Sequence, residues 1–377
     1  MQFNKINPYF LFFLLLCIPF SVYFFRADLI GMDSYGTLLY ICHGDNTIGL
    51  GGMEQLGQYL LFSLIPCNIW AIKVLLFCAS FISGCFIIKM ATLFSEKNGW
   101  RASYLLFLSS VTVLEFTKFE NDTFAFPILF ASLYFFWHGM KKQNRKSFAI
   151  SLALLLPAGT IWAGSIYYLI AYALNLWVLI PFVLIMAFFP GQNHLGWRQL
   201  LGNIIRTGRV AEDLALKLHS HLLLNFGLWG LVFEPVLLPQ GLMFFAMGLI
   251  SNKFWILSLP FLTIGAVKLL ETVDRQWLNQ FVAIASIIML LGISQSVLTN
   301  PPKQEHWEAI DFALDIDNNV NNPWGWGYWV RWRGGETSSY STFHRQQPLM
   351  PNQLMITEEE MECQILQKFG QVKVYRC

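Results

Sequence analysis

The sequence predicts a polytopic α-helical membrane protein that ends in a small α/β domain. Hydrophobic residues make up 55% of the 377 residues and charged residues 13%, against roughly 25% charged residues in soluble domains. Residues 147–197 contain no Asp, Glu, Lys or Arg, and a membrane accommodates such a stretch because about 20 apolar residues span its hydrocarbon layer. After residue 302 charged residues become frequent, and no apolar run is long enough to cross.

This composition excludes several classes of protein. A soluble enzyme, a nucleic-acid-binding domain or a disordered chain would not carry so many long uncharged apolar runs. The formal net charge of +2 indicates no polyanionic partner, so nucleic acid is not expected and membrane lipids are.

We expect about nine to eleven transmembrane helices, several of them tilted or partly buried because their apolar runs are short. The first run is expected to remain as an uncleaved helix, since no small-residue cleavage site follows it. The candidate runs are residues 6–25, 69–88, 102–114 and 123–140, two within 147–189, one or two within 222–252, and then 254–267 and 277–298.

The placement of basic residues predicts which loops are cytoplasmic. Residues 141–146 are rich in Lys and Arg, whereas the loops 26–56 and 115–122 are acidic. We therefore expect the N-terminus inside and both acidic loops outside. Basic residues within 198–217 suggest that the chain is inside again there. If the segment 222–252 then crosses twice, the tail ends inside, and if it crosses once, the tail ends outside.

The chain is expected to divide into a multi-pass membrane domain, residues 1–302, and a small soluble C-terminal domain, residues 303–377. In the tail, residues 304–314 predict an amphipathic helix. Residues 328–332 alternate in a way that predicts a strand, and residues 371–375 predict a short final strand.

Four cysteines could form disulfides on an external face. Cys42 could pair with Cys67 across the first loop, and Cys363 could pair with Cys377 beside the last predicted strand.

The strongest indications of chemistry lie in the two acidic loops. The first contains Gly-Met-Asp-Ser-Tyr at residues 31–35, and the second places Glu120 and Asp122 directly before an apolar helix. Carboxylates at the mouth of a span are costly, and their hard oxygens suit Mg²⁺ or Mn²⁺. We expect Glu120 and Asp122 to bind such a divalent cation and to form a catalytic site with Asp33, in which one carboxylate is a general base. The alternative is solvated loop charges, with Asp122 or Thr123 capping the helix.

The arrangement resembles the GT-C class of membrane glycosyltransferases. Residues 119–126, Phe-Glu-Asn-Asp-Thr-Phe-Ala-Phe, are similar to the acidic loop and following helix of oligosaccharyltransferase catalytic subunits. Residues 31–35 are similar to the first-loop Asp motif of those subunits and of protein O-mannosyltransferases. Residues 322–329, Asn-Pro-Trp-Gly-Trp-Gly-Tyr-Trp, resemble the aromatic–glycine turn that opens the C-terminal domain of GT-C proteins. The Asp of the WWDYG element, which helps hold the acceptor peptide in oligosaccharyltransferases, is missing here.

The resemblance implies a polyprenyl-phosphate-linked sugar donor and an active site on the external face of the cell (plasma) membrane. It implies inverting transfer to a hydroxyl or amide of a lipid, glycan or protein acceptor, with Asp33 as the leading catalytic carboxylate. Basic residues near the acidic loops would hold the donor phosphate, and tail aromatics would contact the acceptor. The alternative for the tail motif, which we favour, is a packing turn, in which the glycines allow backbone bends and the Trp rings bury area against the membrane face. The expected substrate-binding residues are Arg26, Lys118, Trp324, Trp326 and Tyr328.

Two other functions remain open at this point. A transporter or flippase of a lipid-linked substrate would carry ionisable residues along a path inside its spans, and Lys73, Glu234 and Lys268 are the candidates. A non-catalytic membrane scaffold of the same fold would tolerate loss of the acidic residues. The role of Arg275 depends on the side of the membrane on which it lies.

Overall fold

A computed structural model of the chain describes residues 7–44, 54–109, 116–162, 165–175, 222–250, 253–273, 275–299, 302–323, 326–337 and 352–377. This part is mostly helical, with one small sheet near the C-terminal end. The helices are α1 (Pro8–Phe25), α2 (Met32–His43), α3 (Glu54–Ser63), α4 (Ile69–Phe94), α5 (Ala102–Leu105), α6 (Asn121–Lys142), α7 (Arg145–Ile161), α8 (Ile166–Ala173), α9 (Leu222–Leu231), α10 (Leu238–Ile250), α11 (Lys253–Val273), α12 (Gln276–Thr299), α13 (Gln304–Ile316) and α14 (Trp326–Trp332).

Within these described ranges, five segments are long and apolar enough to cross a membrane. They are Pro8–Phe25, Ile69–Phe94, Asp122–Lys142, Trp255–Val273 and a stretch within Gln276–Ile316 that includes α12. The chain is therefore an integral membrane protein. The expected total of about nine to eleven crossings stays a prediction, because residues 176–221 lie outside the described part.

The apolar run at residues 102–114 was expected to span the membrane, and this prediction is wrong for its described part. Two 3₁₀ turns, Gly99–Arg101 and Leu106–Leu108, flank the single turn of α5, and the backbone is extended again at Ser109. The side chains of residues 102–108 are buried in the protein. A short apolar run does not distinguish a lipid-facing span from a buried core segment.

Two cations, the half-buried Arg26 and the buried Lys73, join the ends of three long helices at one end of the bundle, here named the Arg26 face. The Arg26 guanidinium, just after α1, donates to the carbonyl oxygen of Val297 at 2.7 Å and to that of Pro302, at the end of α12. Lys73, near the start of α4, donates to the Tyr23 carbonyl oxygen at 3.0 Å. Because helix C-termini carry partial negative charge, these cations stabilise them. The end of α12, and hence the start of the tail, lies on the Arg26 face.

The opposite end, here named the Lys141 face, is held by a polar cluster. Glu271, near the end of α11, accepts a hydrogen bond from Ser95 Oγ at 3.1 Å. Lys268 lies 3.5 Å from Glu234 and 3.4 Å from Glu271. Lys141, near the end of α6, donates to a carbonyl oxygen at the end of α4. Residues 141–146, which were expected on the cytoplasmic side, therefore lie opposite the first acidic loop.

Helix α9 packs closely along α11 in the same direction. A Cβ atom at Gly227 would meet Leu262, and a Cβ atom at Gly230 would collide with the carbonyl of Gly265. Helix α9 therefore runs toward the Lys141 face. Residues 198–217, which lie outside the described part, were expected on the cytoplasmic side, together with residues 141–146. A helix that follows them from that side would run away from the Lys141 face, so the observed direction of α9 is opposite to the expected one.

The tail contains a mixed five-stranded sheet. The strands are β1 (Asn319–Asn321), β2 (Glu336–Thr337), β3 (Leu354–Thr357), β4 (Gln364–Phe369) and β5 (Val372–Arg376). Their order in the sheet is β2-β1-β3-β5-β4. Strand β1 is parallel to β2 and β3, whereas β5 is antiparallel to β3 and β4. Helix α13 confirms the amphipathic helix predicted at residues 304–314, and β5 confirms the predicted final strand.

The strand predicted at residues 328–332 is wrong, because these residues belong to helix α14. Trp326, Trp329 and Val330 are buried, and spacings of three and four residues place them on one face of a helix. The run at residues 328–332 is short enough to fit both the alternation of a strand and one face of a helix.

Both expected disulfides are present. Cys42, in α2, is bonded to Cys67, just before α4. Cys363 and Cys377 join the start of β4 to the end of β5. One bridge lies beside the first acidic loop and the other in the tail.

Candidate functional site

The two acidic segments meet through backbone contacts. Ile30 and Lys118 form an isolated parallel β-bridge. The Ser34 hydroxyl donates to the Ile30 carbonyl oxygen at 2.5 Å and accepts the Phe119 N–H at 2.8 Å. Residues 30–34 and 118–123 are here named the acidic junction. The junction brings the segments that carry Asp33, Glu120 and Asp122 together.

Two helices begin at the acidic junction. Asp33 is the second residue of α2, which follows Gly31 with φ of +87°. Asp122 is the second residue of α6, and Glu120 stands at its N-cap position in extended conformation. Carboxylates near helix N-termini are stabilised by the partial positive charge there. The two segments, expected as loops, are thus helix starts, and neither Asp122 nor Thr123 is the N-cap residue.

The second segment is buried. Glu120 is 6% exposed and Asp122 is 1% exposed. Asp122 Oδ1 accepts the Thr123 N–H at 2.8 Å, and the Thr123 hydroxyl donates to the Lys118 carbonyl oxygen at 2.9 Å. Side chains this little exposed are not solvated loop charges, so that interpretation of Glu120 and Asp122 is wrong. A buried carboxylate requires compensating partners inside the protein. The side chain of Asp33 lies outside the described part.

The divalent cation at Glu120 and Asp122 stays a prediction. Among the described side chains, no group of three or more His, Cys, Asp or Glu residues could hold a metal. Glu120 and Asp122 are two residues apart and offer only hard oxygen donors, which fit Mg²⁺ or Mn²⁺.

Basic residues expected to hold phosphate have different surroundings. The Arg26 guanidinium donates hydrogen bonds to backbone carbonyl oxygens at the end of α12. Lys118 belongs to the junction and packs against Gly31. Arg275 lies between α11 and α12, on the Lys141 face, which excludes it from a site at the acidic junction.

The tail packs directly on α2. The ring of Tyr35 lies 5.3 Å from that of Trp307 and 6.0 Å from that of Trp332. Burial raises the pKa of Tyr35 well above its usual 10, and the nearby charge of Asp28 raises it further. The Tyr35 hydroxyl therefore stays protonated and lies 3.5 Å from Asp28 Oδ1. The acidic junction and the tail are on the same face of the bundle.

The aromatic motif of the tail is partly a packing element. Trp326 is buried, and its ring lies 4.9 Å from that of His306 in α13. Tyr328 is half-buried in α14, and Trp324 lies outside the described residues. Nε2 of buried His306 lies 3.3 Å from a Glu358 oxygen; burial lowers the pKa of His306, and Glu358 opposes this shift.

The ionisable residues expected on a transport path lie near helix ends. Lys73 contacts the end of α1 on the Arg26 face. Glu234 and Lys268 pair on the Lys141 face. Their positions indicate that they join helices at the two faces of the bundle.

The fold of the chain is similar to that of known structures, although its amino-acid sequence is distant from theirs. No protein-family model matches the chain, and no curated protein matches it significantly. The fold resembles that of an archaeal oligosaccharyltransferase. The apo crystal structure of the Archaeoglobus fulgidus enzyme aligns with a TM-score of 0.54 and 10% identity, covering 89% of this chain and 65% of that chain.

A second structure gives the same result. The A. fulgidus oligosaccharyltransferase AglB, in complex with an inhibitory peptide and a dolichol-phosphate, aligns with a TM-score of 0.55 and 11% identity. The alignment covers 88% of this chain and 64% of that one. The present chain therefore spans less than two thirds of the length of these proteins, and the likeness concerns the fold.

Sequence reasoning missed the role of Ser34. It stands inside the quoted motif, but its partner Phe119 is 85 residues away. No local pattern distinguishes a serine that joins two segments from one that faces solvent.

Proposed function

We propose that the protein is a membrane glycosyltransferase that moves a sugar from a polyprenyl-phosphate-linked donor to an acceptor on the external face. The observation that carries the proposal is the acidic junction, where two carboxylate-bearing helix starts are joined by the bridge and by Ser34. The oligosaccharyltransferase-like fold, and the dolichol-phosphate in the AglB structure, support this class of donor.

Asp33 is the proposed general base. As the acceptor hydroxyl oxygen forms a bond to the anomeric carbon, the hydroxyl proton passes to the Asp33 carboxylate. The bond between that carbon and the phosphate oxygen breaks, and the polyprenyl phosphate leaves with the electron pair. A positioned base contributes about 10²–10⁴-fold to the rate.

Glu120 and Asp122 are proposed to act on the leaving group. Their oxygens would hold Mg²⁺ or Mn²⁺, which when bound stabilises negative charge on a phosphate. Lys118, in the same junction, and Arg26 are the proposed basic contacts, with Trp324, Trp326 and Tyr328 on the acceptor side. EDTA should abolish transfer; full activity in EDTA would refute the metal and leave the carboxylates as acid–base candidates.

The decisive experiment is sugar transfer by Asp33→Asn. This change removes the charge and keeps the shape, so transfer should fall by about 10²–10⁴-fold while membrane insertion is unchanged. Asp45, in the same acidic segment 26–56, is the possible substitute for Asp33; Asp45→Asn is therefore the matched control and should be mild, and an essential Asp45 would refute the assignment. Wild-type transfer by Asp33→Asn would refute the assignment, and no consumption of lipid-linked sugar would favour a transporter or a scaffold.

The proposed sidedness has its own test. Tags after Cys377 and within the first acidic loop should be accessible from outside intact cells, whereas a tag after Arg145 should be protected. This arrangement is supported by the position of the acidic junction and the tail on one face of the bundle. The two disulfides also support it, because disulfides persist in oxidising compartments. A protected tail would contradict it.

A further inference from the structure

Positive charge is concentrated at the turn between α6 and α7, on the Lys141 face. Helix α6 ends at Lys142 and α7 begins at Arg145, so only two residues separate the helices. Residues 141–146 are here named the basic turn. Its four basic side chains are all exposed: Lys141, Lys142, Arg145 and Lys146. The fold therefore presents four cations to the surroundings of the protein within a single turn.

The backbone of the basic turn is held in one arrangement. Gln143, with φ of +52°, ends α6 in the left-handed conformation. The side chain of Asn144 caps α7, because its Oδ1 accepts the Lys146 N–H at 3.0 Å. His138 in α6 and Ser147 in α7 share a hydrogen bond of 3.0 Å. A ligand of the basic turn therefore does not have to order the backbone on binding.

Helix stability accounts for only half of these charges. Lys141 and Lys142 stand in the last turn of α6, where positive charge offsets the helix dipole. Lys141 also serves packing, since its Nζ donates to a carbonyl oxygen at the end of α4 and lies 3.8 Å from the centre of the Phe94 ring. Arg145 and Lys146 stand in the first turn of α7, where positive charge is unfavourable. These two cations favour an anionic partner from outside the chain.

An exposed apolar stripe runs along α7 directly from the basic turn. Ala149, Ile150, Ala153 and Leu156 follow Lys146 at helical spacings of three and four residues, which place them on one side of the helix. All four are exposed, Ile150 by 43% and Leu156 by 70%. The ten residues from Lys146 to Leu156 correspond to about 15 Å at the rise of an α-helix. This is half of the hydrocarbon thickness of about 30 Å, so the stripe is as long as one leaflet is deep.

We propose that the basic turn and this stripe bind an anionic glycerophospholipid of the leaflet at the Lys141 face. The phosphodiester of the headgroup contacts Arg145 and Lys146 through charge-assisted hydrogen bonds, and the acyl chains lie along Ile150 and Leu156. A soluble phosphate matches the two cations but leaves the stripe uncovered. An anionic lipid matches both, since basic residues beside a membrane-embedded helix attract such headgroups. The inference goes beyond the proposed function and does not rest on it.

Native mass spectrometry of the full-length protein in detergent tests the lipid directly. Phosphatidylglycerol is the anionic probe, and phosphatidylcholine with the same acyl chains is the neutral one. Arg145→Gln combined with Lys146→Gln should weaken the tightest binding of phosphatidylglycerol by about thirtyfold. This corresponds to about 2 kcal/mol, the contribution of two basic residues at an anionic membrane surface. Lys97→Gln combined with Arg275→Gln is the matched control, because both residues are exposed on the same face and the variant loses the same net charge.

Weakening that is confined to phosphatidylglycerol and to the basic-turn variant supports the site. Arg145→Lys combined with Lys146→Arg keeps both charges and should retain the binding; loss of binding in this variant would overturn the proposal. Equal weakening in the control would show that the net charge of the face attracts the lipid, and not the basic turn. Equal affinity for the two lipids, or displacement of phosphatidylglycerol by an equal concentration of inorganic phosphate, would overturn a lipid site. None of these outcomes depends on sugar transfer, so failure of the proposed function leaves them unchanged.

Discussion

Ser34 offers the sharpest test of the acidic junction. Its side chain is fully buried, and its hydroxyl is the acceptor for the buried N–H of Phe119. Ser34→Ala removes this acceptor and the bond to the Ile30 carbonyl. A buried donor left unsatisfied costs about 1–3 kcal/mol. If the two segments separate to let water satisfy the N–H, the equilibrium constant for this opening rises by about 5- to 150-fold, at about 1.4 kcal/mol per tenfold.

Two assays measure this change. Hydrogen exchange at the Phe119 amide should accelerate by a factor within that range, because exchange reports local opening. The kcat for sugar transfer from a polyprenyl-phosphate donor should fall by the fraction of molecules that become open, while KM for the donor changes little, since the carboxylates are retained but less often assembled. The hydrogen-exchange readout remains valid even if the donor class is wrong.

Ser83→Ala is the matched control. Ser83 is equally buried, but its hydroxyl donates at 2.8 Å to the Ala79 carbonyl within its own helix, so Phe119 exchange should be unchanged. Wild-type exchange and transfer in Ser34→Ala would refute the reasoning. An equal acceleration in Ser83→Ala would show that general loosening of the bundle explains the effect.

Three further predictions concern stability. Burial lowers the pKa of His306 below its usual 6.5. The unfolded tail therefore binds the proton more readily, and stability is lost as pH falls below about 6.5 toward the folded pKa. Thermal unfolding of His306→Gln should lack this loss; the same dependence of unfolding temperature on pH in the variant and the wild type would contradict the prediction. Gly230→Ala should lower the unfolding temperature in detergent, because its Cβ collides with Gly265 and overpacking costs about 1–3 kcal/mol, whereas Gly292→Ala, with open space around it, should not. Cys363→Ser should destabilise the tail by about 3 kcal/mol through loss of a short closed loop; equal denaturant stability of oxidised wild type and variant would argue against the bridge.

Local sequence properties were sufficient for much of the fold. Uncharged apolar runs predicted the helices at residues 8–25, 253–273 and 276–299, because crossing hydrocarbon requires an unbroken apolar segment. Amphipathic spacing likewise predicted α13. The cysteine positions suggested both disulfides, although spacing alone could not exclude other pairings.

The sequence predicted one site shared by Asp33, Glu120 and Asp122, but not the contacts that join the two segments. Asp33, Glu120 and Asp122 were identified from their unusual positions at the ends of apolar segments. The segments that carry them are joined by the hydrogen bond from the Phe119 N–H to the Ser34 hydroxyl. These two residues are far apart in sequence, and no pattern within either segment encodes that bond.

The sequence by itself determined that the chain is a membrane protein with acidic segments and a polar tail, because hydropathy and charge act residue by residue. Only the tertiary structure decided that α14 is a helix and that residues 102–108 are a buried turn, since both runs are short and fit two conformations. It also decided which end of the bundle carries the tail. That outcome follows from Arg26 reaching the carbonyls of Val297, 271 residues later, a contact that depends on the packing of whole helices.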